Sequence, residues 1–186
     1  MKKILMISTG GTLASSRSDG GLSPRLHGND ILNWIAGLAE GCTVEEEELF
    51  MLDSSNMQPE EWEILAERIY RRREAFDGIV VIHGTDTLAY TASALSFALP
   101  GIEIPVVLTG SQVPIEDPIA DATENCRAAL HMAASGCAGV MWHLTGKLFW
   151  EPEPAKSGPE VMTLLPASII PARPGLTAGD WSGIRL

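Results

Sequence analysis

The chain has 186 residues, 45% of them hydrophobic, which suffices to bury one sizeable core in a single domain of ordinary size. Its formal net charge of −11, with only 13 Lys and Arg, argues against nucleic acid or an anionic membrane surface as a main partner, because either would repel it at long range. Cys42, Cys126 and Cys137 are odd in number and lack CxxC spacing, so they support neither a disulfide framework nor a zinc site and fit free thiols in a reducing compartment.

No apolar run approaches the ~18 residues of a membrane span. Only Ile4 to Ser8 separate the two N-terminal lysines from a polar stretch, too little for the apolar part of a signal peptide. The expectation is a soluble cytoplasmic protein.

In chain order, Lys2 to Ser8 reads as a buried strand that runs into Thr9-Gly10-Gly11-Thr12-Leu13-Ala14. Two glycines between threonines let backbone approach a ligand closely and leave N–H groups to face an anion or a carbonyl oxygen. The stretch has neither GxGxxG spacing nor the lysine of GxxxxGK[ST], which weakens a nucleotide reading. Ser15 to Arg25, rich in serine and glycine, reads as a mobile surface loop. Gly28-Asn29-Asp30 opens a helix with Ile31, Ile35 and Leu38 on one face.

Val44 to Leu52 reads as a strand with a solvated beginning. Glu45 to Glu48 alternate faces along it and cannot converge on one ion, so no metal site is expected. Asp53-Ser54-Ser55-Asn56 follows at the strand end, as ligand contacts, as a cap before Pro59, or as both. Gln58 to Phe76 has proline in its first turn, acids early and arginines late, which suits a helix dipole, and Trp62, Leu65, Ile69 and Phe76 form its apolar stripe. Arg71-Arg72-Arg73 is the solvated end of that helix, in preference to a nucleic-acid patch.

Gly78 to Ile82 is a short β-branched strand, followed by His83-Gly84-Thr85-Asp86-Thr87. Gly84 permits a sharp turn, and Asp86 or Thr87 can cap a helix over Leu88 to Leu99. Ile104 to Thr109 is the next strand, with Ser111 and Gln112 at its exit; Asp121 to Ser135 is a helix and Ala138 to Trp142 a strand. Strand and helix alternate, so the fold class is α/β, a Rossmann-like parallel sheet flanked by helices, with ligands expected at the carboxyl ends of the strands. Beyond Lys147 the character changes: Trp150 to Pro174 is proline-rich and keeps no strand or helix period.

TGGT after the first strand and HGTDT after a central one, with Leu52 to Met57, LTGSQ at Leu108 to Gln112 and the Asp121 to Asn125 region in the same order, resemble the bacterial-type L-asparaginase (asparaginase/glutaminase) family, close to its cytoplasmic form. The resemblance covers residues 1–148, an N-terminal domain. It implies hydrolysis of L-asparagine to aspartate and ammonia through an acyl-enzyme, with no metal or organic cofactor, in a homo-oligomer.

A threonine hydroxyl is a poor nucleophile near neutral pH, so a neighbour must accept its proton and donors must steady the oxyanion. The resemblance makes Thr12 the nucleophile. Thr85 would orient the attacking group or water, while Asp86 would hold the substrate amino group and polarise Thr85. Ser54 would grip the α-carboxylate, with Gly11, Asp53, Ser55, Gly84 and Ser111 lining the substrate site and backbone N–H groups near Gly11 and Thr85 as oxyanion donors. Family members close a loop that often carries a tyrosine; between Thr12 and Asp30 there is none, and Leu22 occupies its place.

The family continues into a GTRA-x-KVRT segment with an essential lysine, a DAFxSxNYP segment and a smaller C-terminal domain, none of which is legible here. Lys156 falls at about the right count among different neighbours. Read from the third base of plausible codons, WEPEPAKSGPEVMTLLPASIIP becomes GTRARKVRTRSHDAFASINYP. Residues 149–186 are therefore expected to be an aberrant, frame-shifted tail of irregular structure. Two further readings stand beside an active asparaginase: an inactive fragment that at most binds a small amino acid, and the related amidotransferase component acting on misacylated tRNA, which the acidic balance disfavours.

Overall fold

The structure is a computed structural model that describes residues 1–11, 15–18, 21–24, 41–113, 121–150 and 160–163, with backbone alone for 15–18, 21–24, 150 and 160–163. Its strands are β1 (Lys2–Gly10), β2 (Ser15–Ser18), β3 (Gly21–Pro24), β4 (Cys42–Leu52), β5 (Gly78–Ile82), β6 (Pro105–Thr109), β7 (Gly139–Leu144), β8 (Lys147–Trp150) and β9 (Glu160–Thr163). The described helices are α1 (Pro59–Arg72), α2 (Leu88–Ala98) and α3 (Ala122–Ala134), with 3-10 turns at Ser54–Asn56 and Arg73–Ala75.

The main sheet runs β4-β1-β5-β6-β7-β8-β9, parallel from β4 to β7 and antiparallel beyond. Period-2 alternation divides its interior into two cores. Ile4, Met6, Val80, Ile82, Val107 and Met141 face Cys126, Ala129 and Ala133 of α3. Leu5, Ile7, Ile79, Val81, Val106 and Leu108 face Leu65 and Ile69 of α1 and Ala92 and Leu95 of α2. A strand covered on both faces must be apolar at every position, which is why GIVVI and PVVLT read as unbroken runs. Gly78 lets the C-terminal end of α3 sit against β5, since a Cβ there would lie 2.1 Å from the Ala133 carbonyl oxygen.

The parallel α/β sheet with flanking helices is as expected, and two antiparallel strands extend it. β9 departs from the irregular tail: its backbone pairs with β8, whose open edge offers unmet hydrogen-bonding groups to a segment containing Val161 and Thr163. Within β8, Leu148 is buried and the Phe149 ring stacks on Trp142 at 3.8 Å. Ser15 to Arg25 also differs from a plain loop, because Ser15–Ser18 pairs antiparallel with Gly21–Pro24. The serine and glycine content of the segment hid this pairing in the sequence. The expected helix at Ile31 to Leu38 lies outside the described residues.

The edge strand β4 is guarded by charge. Glu45 pairs with Lys3 and Arg72, and Glu47 with Arg68 and Arg72, so the arginines ending α1 meet carboxylates of the neighbouring strand. Arg71 pairs with Glu67 one turn earlier, and Arg73 lies over the Tyr70 ring. Cys42, Cys126 and Cys137 are free thiols; burial, with Asp121 adding to it, pushes the Cys126 thiol up to about 12, so it stays protonated and inert.

From the first parallel strand the chain goes outward to β4, then crosses back past β1 to β5 and continues on that side. The direction of winding reverses between β1 and β5. In open α/β sheets the crevice at the carboxyl ends of two such strands is where ligands bind.

Candidate active site

Four loops leave the carboxyl ends of adjacent parallel strands, and small residues bring them into backbone contact. Gly10 and Gly11 end β1 with φ of +99° and +85°, a region that favours glycine. The Gly11 N–H donates to the Leu52 carbonyl oxygen at 3.0 Å, tying β1 to the end of β4. A Cβ on Gly11 would lie 2.5 Å from both the Cα and the nitrogen of Gly84, across the point where the winding reverses. A Cβ on Gly84 would lie 2.3 Å from Ser54 Oγ, and one on Gly110 2.3 Å from the His83 carbonyl oxygen and 3.5 Å from Thr85 Cγ2. Gly84 is therefore required because Ser54 fills the place of its Cβ, as Gly84 itself fills that of Gly11; it shows no left-handed turn.

The polar groups around this junction are held in different ways. Ser54 is buried, and its carbonyl oxygen accepts from Thr87 Oγ1 at 2.9 Å. Thr87 does begin α2, but its hydroxyl makes no capping hydrogen bond; it reaches the β4 loop instead, so the expected cap is a tie between loops. Asp53, exposed, caps the 3-10 turn: its carboxylate accepts from the Ser55 N–H at 2.9 Å and the Ser55 hydroxyl at 2.7 Å, which holds it below the usual carboxylate range. Asp86 is exposed and has no ion pair or hydrogen bond among the described residues. Thr85 is half-buried, and neither its N–H nor its hydroxyl is engaged among the described residues.

Ser111 is buried and its hydroxyl is held by the Asp121 carboxylate. Asn125, also buried, donates to the Gly110 carbonyl oxygen at 3.0 Å and to Asp121 at 2.9 Å, while its own Oδ1 accepts from the Thr145 N–H at 3.0 Å. The exit of β6, the start of α3 and the β7–β8 turn are thus clamped together. Thr145, at φ 51°, is the one non-glycine residue of left-handed backbone among those described.

Of the candidate residues, Gly11, Ser54, Gly84 and Thr85 come together at one junction, with Asp53, Ser55 and Asp86 beside it in the chain. Ser111 follows Gly110, but its hydroxyl is occupied by Asp121. Of the backbone donors expected near Gly11 and Thr85, the N–H of Gly11 itself donates to Leu52, whereas that of Thr85 is engaged by no described residue. Thr12, Leu22's side chain and Lys156 lie outside the described residues. Sequence reasoning counted Gly110 within LTGSQ but gave it no role at the site. No group of three or more His, Cys, Asp or Glu that could hold a metal occurs among the described residues, and no described helix is long and apolar enough to cross a membrane.

Residues 3–156 match the family described as "Asparaginase, N-terminal". The L-asparaginase of Thermococcus kodakarensis is 44% identical over 140 residues, 74% of this chain and 42% of that protein. A component of the Glutamyl-tRNA(Gln) amidotransferase of Aeropyrum pernix is 42% identical over 138 residues, 72% of this chain and 32% of that protein. The solved structure of the thermostable Thermococcus kodakarensis L-asparaginase superposes with a TM-score of 0.77 at 33% identity, covering 96% of this chain and 58% of that one. The chain spans less than half the length of the curated relatives it matches.

Proposed function

The chain belongs to the asparaginase family through the N-terminal domain, and on that premise we propose that it serves in the hydrolysis of L-asparagine to L-aspartate and ammonia, with Thr12 as nucleophile. The Thr12 oxygen attacks the side-chain amide carbon, and the nitrogen leaves as ammonia with the proton that the hydroxyl gave up. Water then attacks the resulting ester, releasing aspartate and restoring the hydroxyl. Thr85 orients the attacking group, Asp86 receives the substrate ammonium, and the Thr85 N–H faces the developing oxyanion. Ser54, Ser55, Asp53, Gly11, Gly84 and Ser111 shape the pocket around the α-carboxylate end.

The observation that carries this reading is the meeting of Gly11, Gly84 and Ser54 at the reversal point, with the Thr85 N–H beside them engaged by no described residue. On this reading the protein acts in the cytoplasm without metal or organic cofactor, within a homo-oligomer. Losing one positioning group can cost a hundredfold in rate, on the order of what a small misplacement costs elsewhere. A chain without the family's lysine segment is therefore feeble or only binds its amino acid. Ammonia release from L-asparagine by the purified chain, set against Thr12→Ala, tests the assignment: loss of release supports it, and equal rates remove Thr12 from the mechanism.

The amidotransferase relative favours a second reading, in which the same amide hydrolysis supplies ammonia for transamidation. A net charge of −11 disfavours contact with tRNA. Filter retention of tRNA at low salt would favour this second reading.

We also propose that residues 1–148 are the asparaginase-type domain and that residues from about Phe149 onward derive from a shifted reading frame.

A further inference from the structure

His83 is fully buried at the end of β5, and its two ring nitrogens are both occupied. Nδ1 lies 2.7 Å from the Gly84 carbonyl oxygen, and Nε2 lies 3.0 Å from Thr91 Oγ1 in α2. Thr91, also fully buried, accepts from Trp62 Nε1 of α1 at 2.9 Å.

The proton positions follow from chemistry. A carbonyl oxygen can only accept, so Nδ1 carries the hydrogen. An indole nitrogen can only donate, so the Thr91 oxygen accepts from Trp62 and turns its own proton to Nε2. A neutral imidazole protonated at Nδ1 satisfies every group, and burial holds the imidazole below its ordinary pKa, in line with that state.

The consequence lies one peptide further on. The 84–85 peptide is trans and planar, so its C=O and N–H point in opposite directions. Holding the Gly84 oxygen against the buried imidazole turns the Thr85 N–H away from it, and that N–H donates to no described residue. The His83 N–H meanwhile donates to the Thr109 carbonyl oxygen at 2.8 Å, so the imidazole stands on backbone anchored to β6.

We propose that His83, braced by Thr91 and Trp62, is a positioning residue that fixes the Gly84–Thr85 peptide and so aims the Thr85 N–H into the substrate site. This rests on the reading that Thr85 belongs to an asparagine site, although the orientation of the peptide can be tested without it.

Two substitutions separate the two nitrogens. The amide of His83→Asn sits near Nδ1 and can still donate to Gly84, whereas that of His83→Gln reaches the Nε2 position and keeps only the Thr91 side. The readouts are the His83 ring nitrogen shifts of the unmodified protein, the Thr85 amide resonance, and L-asparagine affinity by calorimetry. We expect the neutral Nδ1–H tautomer, a Thr85 amide close to its original position in His83→Asn and displaced in His83→Gln, and affinity at least tenfold weaker in His83→Gln than in His83→Asn.

An Nε2–H tautomer, or a Thr85 amide displaced equally in both variants, overturns the proposal. If the unmodified protein binds no asparagine, the site reading fails while the tautomer and the Thr85 resonance still decide the role of His83. If it binds and both variants bind equally, His83 is only structural.

Discussion

Gly11 and Gly84, at the ends of neighbouring strands, touch backbone to backbone: a methyl group on Gly11 would stand 2.5 Å from the Gly84 Cα. Gly41 has a similar φ of +78° with nothing within 4 Å of its Cβ position. The pair separates strain from crowding. Gly41→Ala should cost about 1 kcal/mol of backbone strain, whereas Gly11→Ala should cost a further ~1–3 kcal/mol of overpacking. Urea unfolding measures both, and equal losses would mean that the two loops do not press together.

Thr87 ties the β5 loop to the β4 loop through Ser54 and does not cap its helix. Thr87→Val should therefore cost about 1 kcal/mol, the net worth of one hydrogen bond, and shift the Ser54 and Ser55 amide resonances. If α2 frays at its first turn while Ser54 is unmoved, the hydroxyl is acting as a cap after all.

His83 and His143 are both buried, and burial lowers the pKa of each below the ordinary 6.5. Below 6.5 the unfolded chain takes up protons that the folded chain refuses, so stability is fully present above that pH and falls as acid is added. His143 adds to this because neither ring nitrogen has a hydrogen-bond partner among the described residues, though Glu124 moderates its shift. Thermal unfolding between pH 8 and pH 5 should show Tm declining from about 6.5 downward, with a shallower decline in His143→Phe. A flat profile would mean that both rings take up protons in place.

The tail proposal makes a claim about nucleic acid. The coding DNA beneath Trp150 to Pro171, read from the third base of each codon, should spell GTRARKVRTRSHDAFASINYP. Sequencing the gene checks this, and an alternative frame lacking those words disproves it.

The fold was legible where physics acts through period. β1, β5 and β6 are buried on both faces and so read as continuous apolar runs, while α1 carried proline, acids and arginines in the order a helix dipole favours. The hairpin at Ser15–Ser18 and Gly21–Pro24 was obscured by composition, and β9 by the prolines around it, because pairing with an exposed strand edge leaves little trace in a four-residue segment. At the site, the glycine-threonine motifs marked the right strand ends. What they could not reveal was which polar groups are already committed. That Gly11 N–H is taken by Leu52, Ser111 by Asp121 and Thr87 by Ser54 depends on partners 10 to 41 residues away in the chain. The His83–Thr91–Trp62 chain is of the same kind, hinted at only by a tryptophan whose N–H needs a partner when its ring packs.

The proposed activity requires that the strand-end loops bearing Gly11, Ser54, Thr85 and Asp86 form one pocket for L-asparagine. Titration of the isotope-labelled chain with L-asparagine, followed through backbone amide resonances, examines that pocket without any need for turnover. We expect saturable shifts concentrated at Gly11, Ser54, Ser55, Thr85 and Asp86, and weakened by Asp86→Ala. Shifts that are absent at millimolar asparagine, or that gather at the opposite edge of the sheet, would contradict it.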